Sequence, residues 1–236
     1  MSCLKTTKSD IDMFKKVAFL LILPCIYVMS LYAARPFNTD DARVVAKGHC
    51  QMETWIELHA QGDSELWSLP SCNLIWGTEI TLGGMIGLQS NSVQFQLKKL
   101  FVDADEKDWG IGIAVGNIHN YLFGADNANE IYAYIPATFL FLDSKIALHV
   151  NVGYNLQSLM EGIYTLGVGL ETEIVSRLYA IGEVYYSRFD PVMYQVGLRT
   201  WLVQDMLQLD ATYGNAFYGG LDFVSFGLRI LPPKFL

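Results

Sequence analysis

The sequence predicts an all-β fold, a transmembrane antiparallel up-and-down β-barrel of about twelve strands, from three observations. Apolar and polar residues alternate with a period of two over most of the chain after residue 48. The alternating segments are about 10 to 14 residues long, which is enough to cross a bilayer, whereas strands of soluble sandwiches have about 5 to 6. The composition is 52% hydrophobic and only 17% charged, although the body of the chain has no apolar run of about 20 residues that would form a membrane helix.

The segment from Lys145 to Leu156 shows the alternation most clearly. Its even positions carry large apolar side chains, and its odd positions carry polar or small ones, including His149, Asn151 and Gly153. The twelve predicted strands are 49–60, 65–76, 78–89, 92–103, 109–120, 129–142, 145–157, 162–174, 176–187, 192–203, 206–217 and 220–231.

The connections between these strands alternate in length. If the first strand rises from the periplasm, the gaps on the periplasmic side are mostly short, and those on the outer side, such as His119–Asn129, are longer. This asymmetry is typical of bacterial outer-membrane barrels. A soluble lipocalin-like or sandwich domain is the alternative. Because the polar faces are rich in Gly, Ala, Ser, Thr and Asn rather than in Lys and Glu, the membrane barrel is favoured.

The N-terminus reads as a secretory signal peptide over residues 1–34. Lys15 and Lys16 precede a short apolar run, and small residues end it at Ala34. Met13 is an alternative start, and an uncleaved anchor helix is the competing interpretation. We therefore expect a periplasmic N-terminal segment at 35–48 and a barrel over 49–236, located in the outer membrane of a Gram-negative cell.

The charge of the chain limits the expected partners. The net charge is −8, which argues against nucleic-acid binding. We expect contacts with outer-membrane lipid, with the barrel-assembly machinery and with a small-molecule solute. The sequence indicates no cofactor and no metal site.

Two of the four cysteines, Cys50 and Cys72, lie in the exported part, where disulfides persist. They fall on the first two predicted strands, and a hairpin that turns near Gly62 places residue 50 opposite the mid-70s. A cross-strand disulfide is therefore expected, with two free thiols as the alternative.

Four motifs carry a resemblance to a known family. They are the sequences Arg35–Ala42, Gly48–Glu53, Leu69–Asn73 and Ile80–Gly84. In this order they resemble the outer-membrane barrels associated with the meta-cleavage pathway of phenol degradation, in a branch that carries cysteines. The resemblance is best over residues 35 to 120, and it implies outer-membrane transport of small, aromatic compounds.

Ionisable residues on the polar faces are the candidates for lining a pore. On the lipid face each charge would cost about 2 to 4 kcal/mol at the midplane, so they are expected inside. Both signs together could set the selectivity of a narrow pore, or they could form a structural network. The candidates are Glu53, Glu57, His149, Glu171, Glu173, Arg177, Glu183, Arg199, Asp210 and Arg229.

Before the first strand, Thr39, Asp40 and Asp41 form a polar motif. Turn formation is the commonest role of such an Asp pair. Ion coordination and contact with a periplasmic partner are the alternatives.

Aromatic residues are expected in girdles at the two membrane interfaces, with one or two of them left for stacking on a ligand. The tryptophans are Trp55, Trp67, Trp76, Trp109 and Trp201.

The sequence thus predicts a passive channel or transporter for small solutes, aromatic or hydrophobic ones in particular. A structural or adhesion barrel without transport is the alternative. A lipid-modifying enzyme is less favoured, because His149 has no evident serine partner and no G-x-S-x-G motif occurs.

Overall fold

The computed structural model describes residues 37–75, 77–157, 162–188 and 190–232, so the expected signal peptide and Trp76 lie outside the described residues. Over this part of the chain it has twelve strands and one four-residue helix. No helix among the described residues is long and apolar enough to cross a membrane. The elements are β1 (Cys50–His59), β2 (Ser64–Ile75), β3 (Thr78–Gly87), β4 (Ser90–Val102), α1 (Ala104–Lys107), β5 (Trp109–Leu122), β6 (Ala128–Phe141), β7 (Ile146–Gln157), β8 (Ile163–Val175), β9 (Leu178–Ser187), β10 (Met193–Val203), β11 (Leu207–Ala216) and β12 (Phe223–Ile230).

The strands form one closed barrel, in which each strand pairs antiparallel with its neighbours in the chain and β1 pairs with β12. Across that seam Glu53 is the register partner of Arg229. Closure leaves no unpaired strand edge, which matters in lipid because no water is there to satisfy backbone groups. The predicted fold class is confirmed.

The two faces of the wall differ as the period of two requires. Large apolar side chains point outward, and Leu82 and Phe226 are 59% and 54% exposed. Polar side chains point inward, and His149 and Gln195 are both 0% exposed. An apolar outer face of this kind is what the hydrocarbon of a membrane covers.

The two ends of the barrel differ in their connections. The lower end, where β1 begins and β12 ends, has the connections 76–77, 103–108, 142–145, 176–177 and 204–206. The upper end has the connections 60–63, 88–89, 123–127, 158–162, 188–192 and 217–222. Apart from the lower connection that holds α1 and the tight turn at 88–89, the upper connections have four to six residues and the lower ones two to four, which is the predicted tendency.

The expected disulfide is confirmed. Cys50 of β1 and Cys72 of β2 are register partners, and their sulfur atoms are bonded. The bond closes the lower end of the first hairpin, beside the seam with β12, and so fixes the strand that closes the barrel.

The expected interfacial girdle is wrong for three of the tryptophans. Trp55, Trp67 and Trp201 fall on the inward positions of their strands, and Trp55 and Trp201 are buried. Trp109 lies outward at the lower end and is 41% exposed, as a girdle residue would be. The indoles of β1 and β2 are thus available to the lumen rather than to lipid.

Candidate functional site

Residues 37–45, here called the N-terminal segment, lie inside the barrel. Near the lower end the Val45 N–H donates a hydrogen bond to Glu79 Oε2 at 2.9 Å. Further along, the Ala42 N–H donates to Thr138 Oγ1 at 2.8 Å. Glu79 belongs to β3 and Thr138 to β6, on separate parts of the wall. One short segment reaches both from the lumen side because these side chains point inward.

At mid-height the first described residues of the segment lie against β9. Both carboxylate oxygens of Glu183 accept backbone N–H groups, from Asn38 and from Thr39, each at 2.9 Å. The ring of Phe37 lies 5.7 Å from the guanidinium carbon of Arg199. The expectation of a periplasmic segment at 35–48 is therefore corrected for residues 37–45. Their backbone groups find hydrogen-bond partners in the wall, so the segment can lie in the lumen at little desolvation cost.

Glycines on the wall provide the room that the segment occupies. A Cβ atom at Gly167 of β8 would lie 2.4 Å from Thr39 Oγ1. A Cβ atom at Gly110 of β5 would lie 2.9 Å from the Ala42 carbonyl oxygen. These small inward positions explain in part why the polar faces of the strands are rich in glycine.

The Asp40–Asp41 motif combines a turn with ion pairs. Asp41 accepts the Arg43 N–H at 3.2 Å, which is the expected turn chemistry. Lys98 Nζ lies 2.9 Å from Asp40 Oδ2 and 3.3 Å from Asp41 Oδ1. Arg43 Nε lies 3.1 Å from Asp105 of α1, where burial raises the pKa of the Asp105 carboxyl and Arg43 opposes that rise.

Lys98 and Glu79 were missed among the candidates. Both lie on inward positions. On β4 the polar residues Gln94, Gln96 and Lys98 alternate with apolar ones, as in the strands that supplied the other pore-lining candidates. From that alternation Lys98 could have been predicted to point into the lumen. The need for a cation there becomes clear only once the two aspartates are known to lie inside.

A buried charge cluster joins β7, β8, β10 and β11 below mid-height. Arg199 Nη1 lies 2.6 Å from Glu171 Oε1, and Arg199 Nε lies 3.7 Å from Asp210 Oδ2. His149 Nε2 lies 3.4 Å from the same oxygen of Glu171. Four predicted candidates thus meet in one place, where Arg199 and His149 lie beside the two carboxylates.

A second cluster lies at the seam. Arg229 Nε lies 3.7 Å from Glu53 Oε1, and Arg229 donates to Gln51 at 2.9 Å. The predicted meeting of the first and last strands therefore brings Glu53 and Arg229 together.

One candidate is wrong as a lumen residue. Arg177 is exposed in the two-residue turn between β8 and β9, with φ of 71°. The strand ends before it, so the period of two no longer orients its side chain. Glu173, at the lower end of β8, stays half-buried on an inward position.

The structure gives His149 a hydroxyl partner that was not expected. Thr138 Oγ1 lies 2.9 Å from His149 Nδ1, with Glu171 on the other ring nitrogen. The arrangement resembles a nucleophile, a base and an acid. However, Thr138 is 0% exposed and accepts the Ala42 N–H, so the N-terminal segment covers it. The contacts therefore favour a structural role for these three side chains over a catalytic one.

Above the segment lies a cavity of about 420 Å³, here called the outer cup. It lies on the side of the upper connections, and Phe37 to Thr39 contribute to its floor. Its size is within the range of small-molecule sites. Aromatic side chains and carboxylates dominate its wall, namely Trp55, Trp67, Tyr132, Tyr134 and Tyr185 with Glu57, Glu65 and Glu130.

Glu57 and Glu65 face each other in register at the cup wall. The Trp55 indole N–H donates to Glu57 at 3.0 Å, and the Trp67 indole N–H donates to Glu65 at 2.9 Å. Together with His59 they place one ligand atom each within 4.8 Å of one another, so they are the group in the described part of the chain that could hold a metal ion.

Comparison with solved structures finds porins with the same fold. A KdgM porin matches with a TM-score of 0.63 and 11% identity, over 76% of this chain and 98% of that one. A KdgM porin in complex with disordered oligogalacturonate matches with a TM-score of 0.62 and 11% identity over the same shares. A NanC porin matches with a TM-score of 0.57 and 9% identity, over 76% and 98%. At these identities the likeness concerns the fold.

Comparison of sequences identifies a family. No curated protein matches the chain. One family model, described as uncharacterised conserved protein UCP029691, matches residues 26–230. The comparisons do not show the phenol-degradation family that the N-terminal motifs resemble. The match covers the N-terminal segment and all twelve strands, so the chain belongs to the family of the uncharacterised conserved protein UCP029691.

Proposed function

We propose that the protein is an outer-membrane channel for small solutes whose lumen is closed by its own N-terminal segment. The apolar outer face and the closed barrel support a position in lipid. The signal-like leader supports export, and the porin-like fold supports the class of function by analogy. In this proposal the upper end faces the outside of the cell and the lower end faces the periplasm.

The observation that carries the proposal is the course of residues 37–45 through the lumen. Hydrogen bonds to side chains such as Glu183 and Thr138 hold the segment, and it is not a strand of the wall. The cavity beside it, lined by Asp40 and Lys98 among others, measures about 20 Å³, which is room for about one water molecule. Because residues 37–45 are not part of the closed strand ladder, we expect that the segment can leave the lumen without breaking the barrel.

The cup supports a solute that is small and in part aromatic. Its volume of about 420 Å³ suits a molecule of that size, and its wall offers aromatic faces. The oligogalacturonate in the KdgM complex is an anion. The three carboxylates of this cup do not favour an anion, so the ligand of that complex is not carried over to this chain.

Conductance in planar lipid bilayers tests the proposal. We expect the full chain to open rarely and a variant lacking residues 37–45 to conduct persistently, because the segment occupies the lumen. Heat-modifiable gel mobility of both proteins checks that each barrel is folded. A full chain that conducts as a steadily open pore would contradict the proposal, as would a folded deletion variant that stays closed.

A structural or adhesion barrel without transport is the second candidate. The lower lumen favours it, since Arg199 and Arg229 and their carboxylate partners lie there beside the segment. The deletion experiment separates the two functions. A folded variant without conductance would support the barrel without transport.

A further inference from the structure

The charges of the lumen are divided between its two halves. Among the described residues, the lysines and all arginines except Arg188 lie at or below mid-height, and Lys99 lies on the outer face of β4 rather than in the lumen. Arg188 is exposed in the upper connection after β9 and is not part of the cup wall. The cup wall has three carboxylates and neither lysine nor arginine. The upper lumen therefore has a negative potential that a low-dielectric wall strengthens.

The three carboxylates accept hydrogen bonds from neutral donors, and His59 Nε2 lies 3.7 Å from Glu57 Oε2. Glu57 and Glu65 each accept an indole N–H, and Glu130 accepts amide N–H groups from Asn155 at 2.6 Å and Gln157 at 3.1 Å. Such bonds orient a carboxylate without neutralising its charge. By contrast, Glu171 and Glu53 in the lower lumen are paired with arginines.

Aromatic rings lie next to these charges. Trp55 and Trp67 stack with centroids 5.5 Å apart and planes 3° apart, directly beside Glu57 and Glu65 on the same strands. Across the cup Tyr132 and Tyr134 stack at 6.1 Å. Rings and carboxylates together are the combination that binds ammonium groups, since the face of an aromatic ring attracts a cation.

We propose that the outer cup binds a small organic cation, an amine or quaternary ammonium compound with an aromatic or apolar body. The Glu57–Glu65 pair and Glu130 supply the counter-charge, and the indole and phenol rings contact the body and the cationic head. Glu57 and Glu65 lie directly opposite each other, where two like charges are destabilising. A bound cation relieves that repulsion. That the cation is the solute carried by the channel rests on the proposed function. That the outer cup binds the cation does not depend on it.

Calorimetric titration of the full chain, folded in detergent with EDTA present, tests the binding. The probes are benzyltrimethylammonium, benzyl alcohol and benzenesulfonate, which share a ring and differ in charge. We expect the cation to bind at least about tenfold more tightly than the other two, because charge and ring faces act together. Equal affinity for the alcohol or the sulfonate would overturn the proposal without any variant.

Variants then locate the site. We expect the double change E57Q/E65Q to weaken cation binding about tenfold or more, and Trp67→Leu to weaken it with both carboxylates kept. Glu106→Gln is the matched control, because it removes one exposed carboxylate from α1 at the lower end. Unchanged affinity in a folded E57Q/E65Q protein would also overturn the proposal. If the full chain binds the cation but the deletion variant does not conduct, the channel proposal is contradicted and the cation-binding proposal stands.

Discussion

Glu183 is the residue on which the position of the N-terminal segment depends most. Its two oxygens accept two consecutive backbone N–H groups, from Asn38 and Thr39, near mid-height of the barrel. Hydrogen bonds to a charged acceptor are the strong ones, and a buried donor left without its acceptor carries a cost of about 1 to 3 kcal/mol. Glu183 was predicted as a pore-lining charge, but its contacts show it holding the backbone of the segment.

Glu183→Ala is therefore expected to loosen the segment. Arg43 is 4% exposed, so the folded protein should resist trypsin there, and the variant should be cut after Arg43 several times faster. Mass spectrometry of the cleavage products over time measures the rate. Glu106→Ala is the control, since Glu106 is exposed outside the lumen. Equal cleavage rates in all three proteins would show that Glu183 does not hold the segment.

Arg199 lies 2.6 Å from a carboxylate oxygen of Glu171 and 3.7 Å from one of Asp210, and both carboxylates are buried. Arg199→Met leaves both without their cation, and removing one partner of a buried pair costs about 3 to 5 kcal/mol. We expect this loss in the free energy of unfolding, measured by urea titration in lipid vesicles. Arg177→Met makes the same change in an exposed turn and should alter stability by less than about 0.5 kcal/mol. Similar losses in the two variants would contradict the assignment of Arg199 to the lumen and of Arg177 to the turn.

At the scale of elements, the period of two allowed the strands to be predicted. The twelve predicted strands agree with the structure to within a few residues at their ends, and the register of β1 and β2 was good enough to pair Cys50 with Cys72. Inward positions for Glu171, Arg199 and Asp210 followed from the same alternation. These predictions succeed because a strand repeats one local rule along its whole length.

The N-terminal segment could not be predicted in this way. Residues 37–45 form no strand or helix, so no periodicity marks them, and their partners are single side chains scattered over β3, β4, β6 and β9. Trp55, Trp67 and Trp201 were misplaced for a related reason. The tryptophan content suggests girdles at the membrane interfaces. Whether a given tryptophan faces lipid or the lumen is decided by its odd or even position in its strand.

The inward glycine of β8 gives a test at this scale. Gly167→Val places side-chain atoms where Thr39 lies, because even a Cβ atom there would be 2.4 Å from Thr39 Oγ1. We expect the segment to be displaced and the conductance in planar bilayers to rise above that of the unchanged chain. Gly182→Val is the control, since a Cβ atom at Gly182 has its nearest neighbour at 3.6 Å, an ordinary contact distance. Equal conductance in the two variants would mean that the space beside Gly167 is not filled by the segment.

The whole molecule combines a membrane-facing wall with a lumen divided into two parts. Below mid-height the N-terminal segment and paired charges occupy the lumen, and above it the outer cup is lined by aromatic faces and by carboxylates that accept hydrogen bonds from indole and amide groups. The division means that a solute entering the cup meets Phe37 to Thr39 as a floor. In the proposed channel, passage would require movement of the segment, which is not itself a strand of the barrel.

A disulfide between the segment and the wall tests this account most directly. The Cβ atom of Thr39 lies 3.2 Å from the position of a Cβ atom at Gly167, close to the usual disulfide separation of about 3.5 to 4.5 Å. The double variant T39C/G167C should form the bond on export, seen as a cross-linked tryptic peptide, and should conduct only after reduction. T39C/V168C is the control, since Val168 points outward. Two results would contradict a lumen closed by residues 37–45. One is free thiols in folded T39C/G167C, and the other is a conductance that is the same before and after reduction.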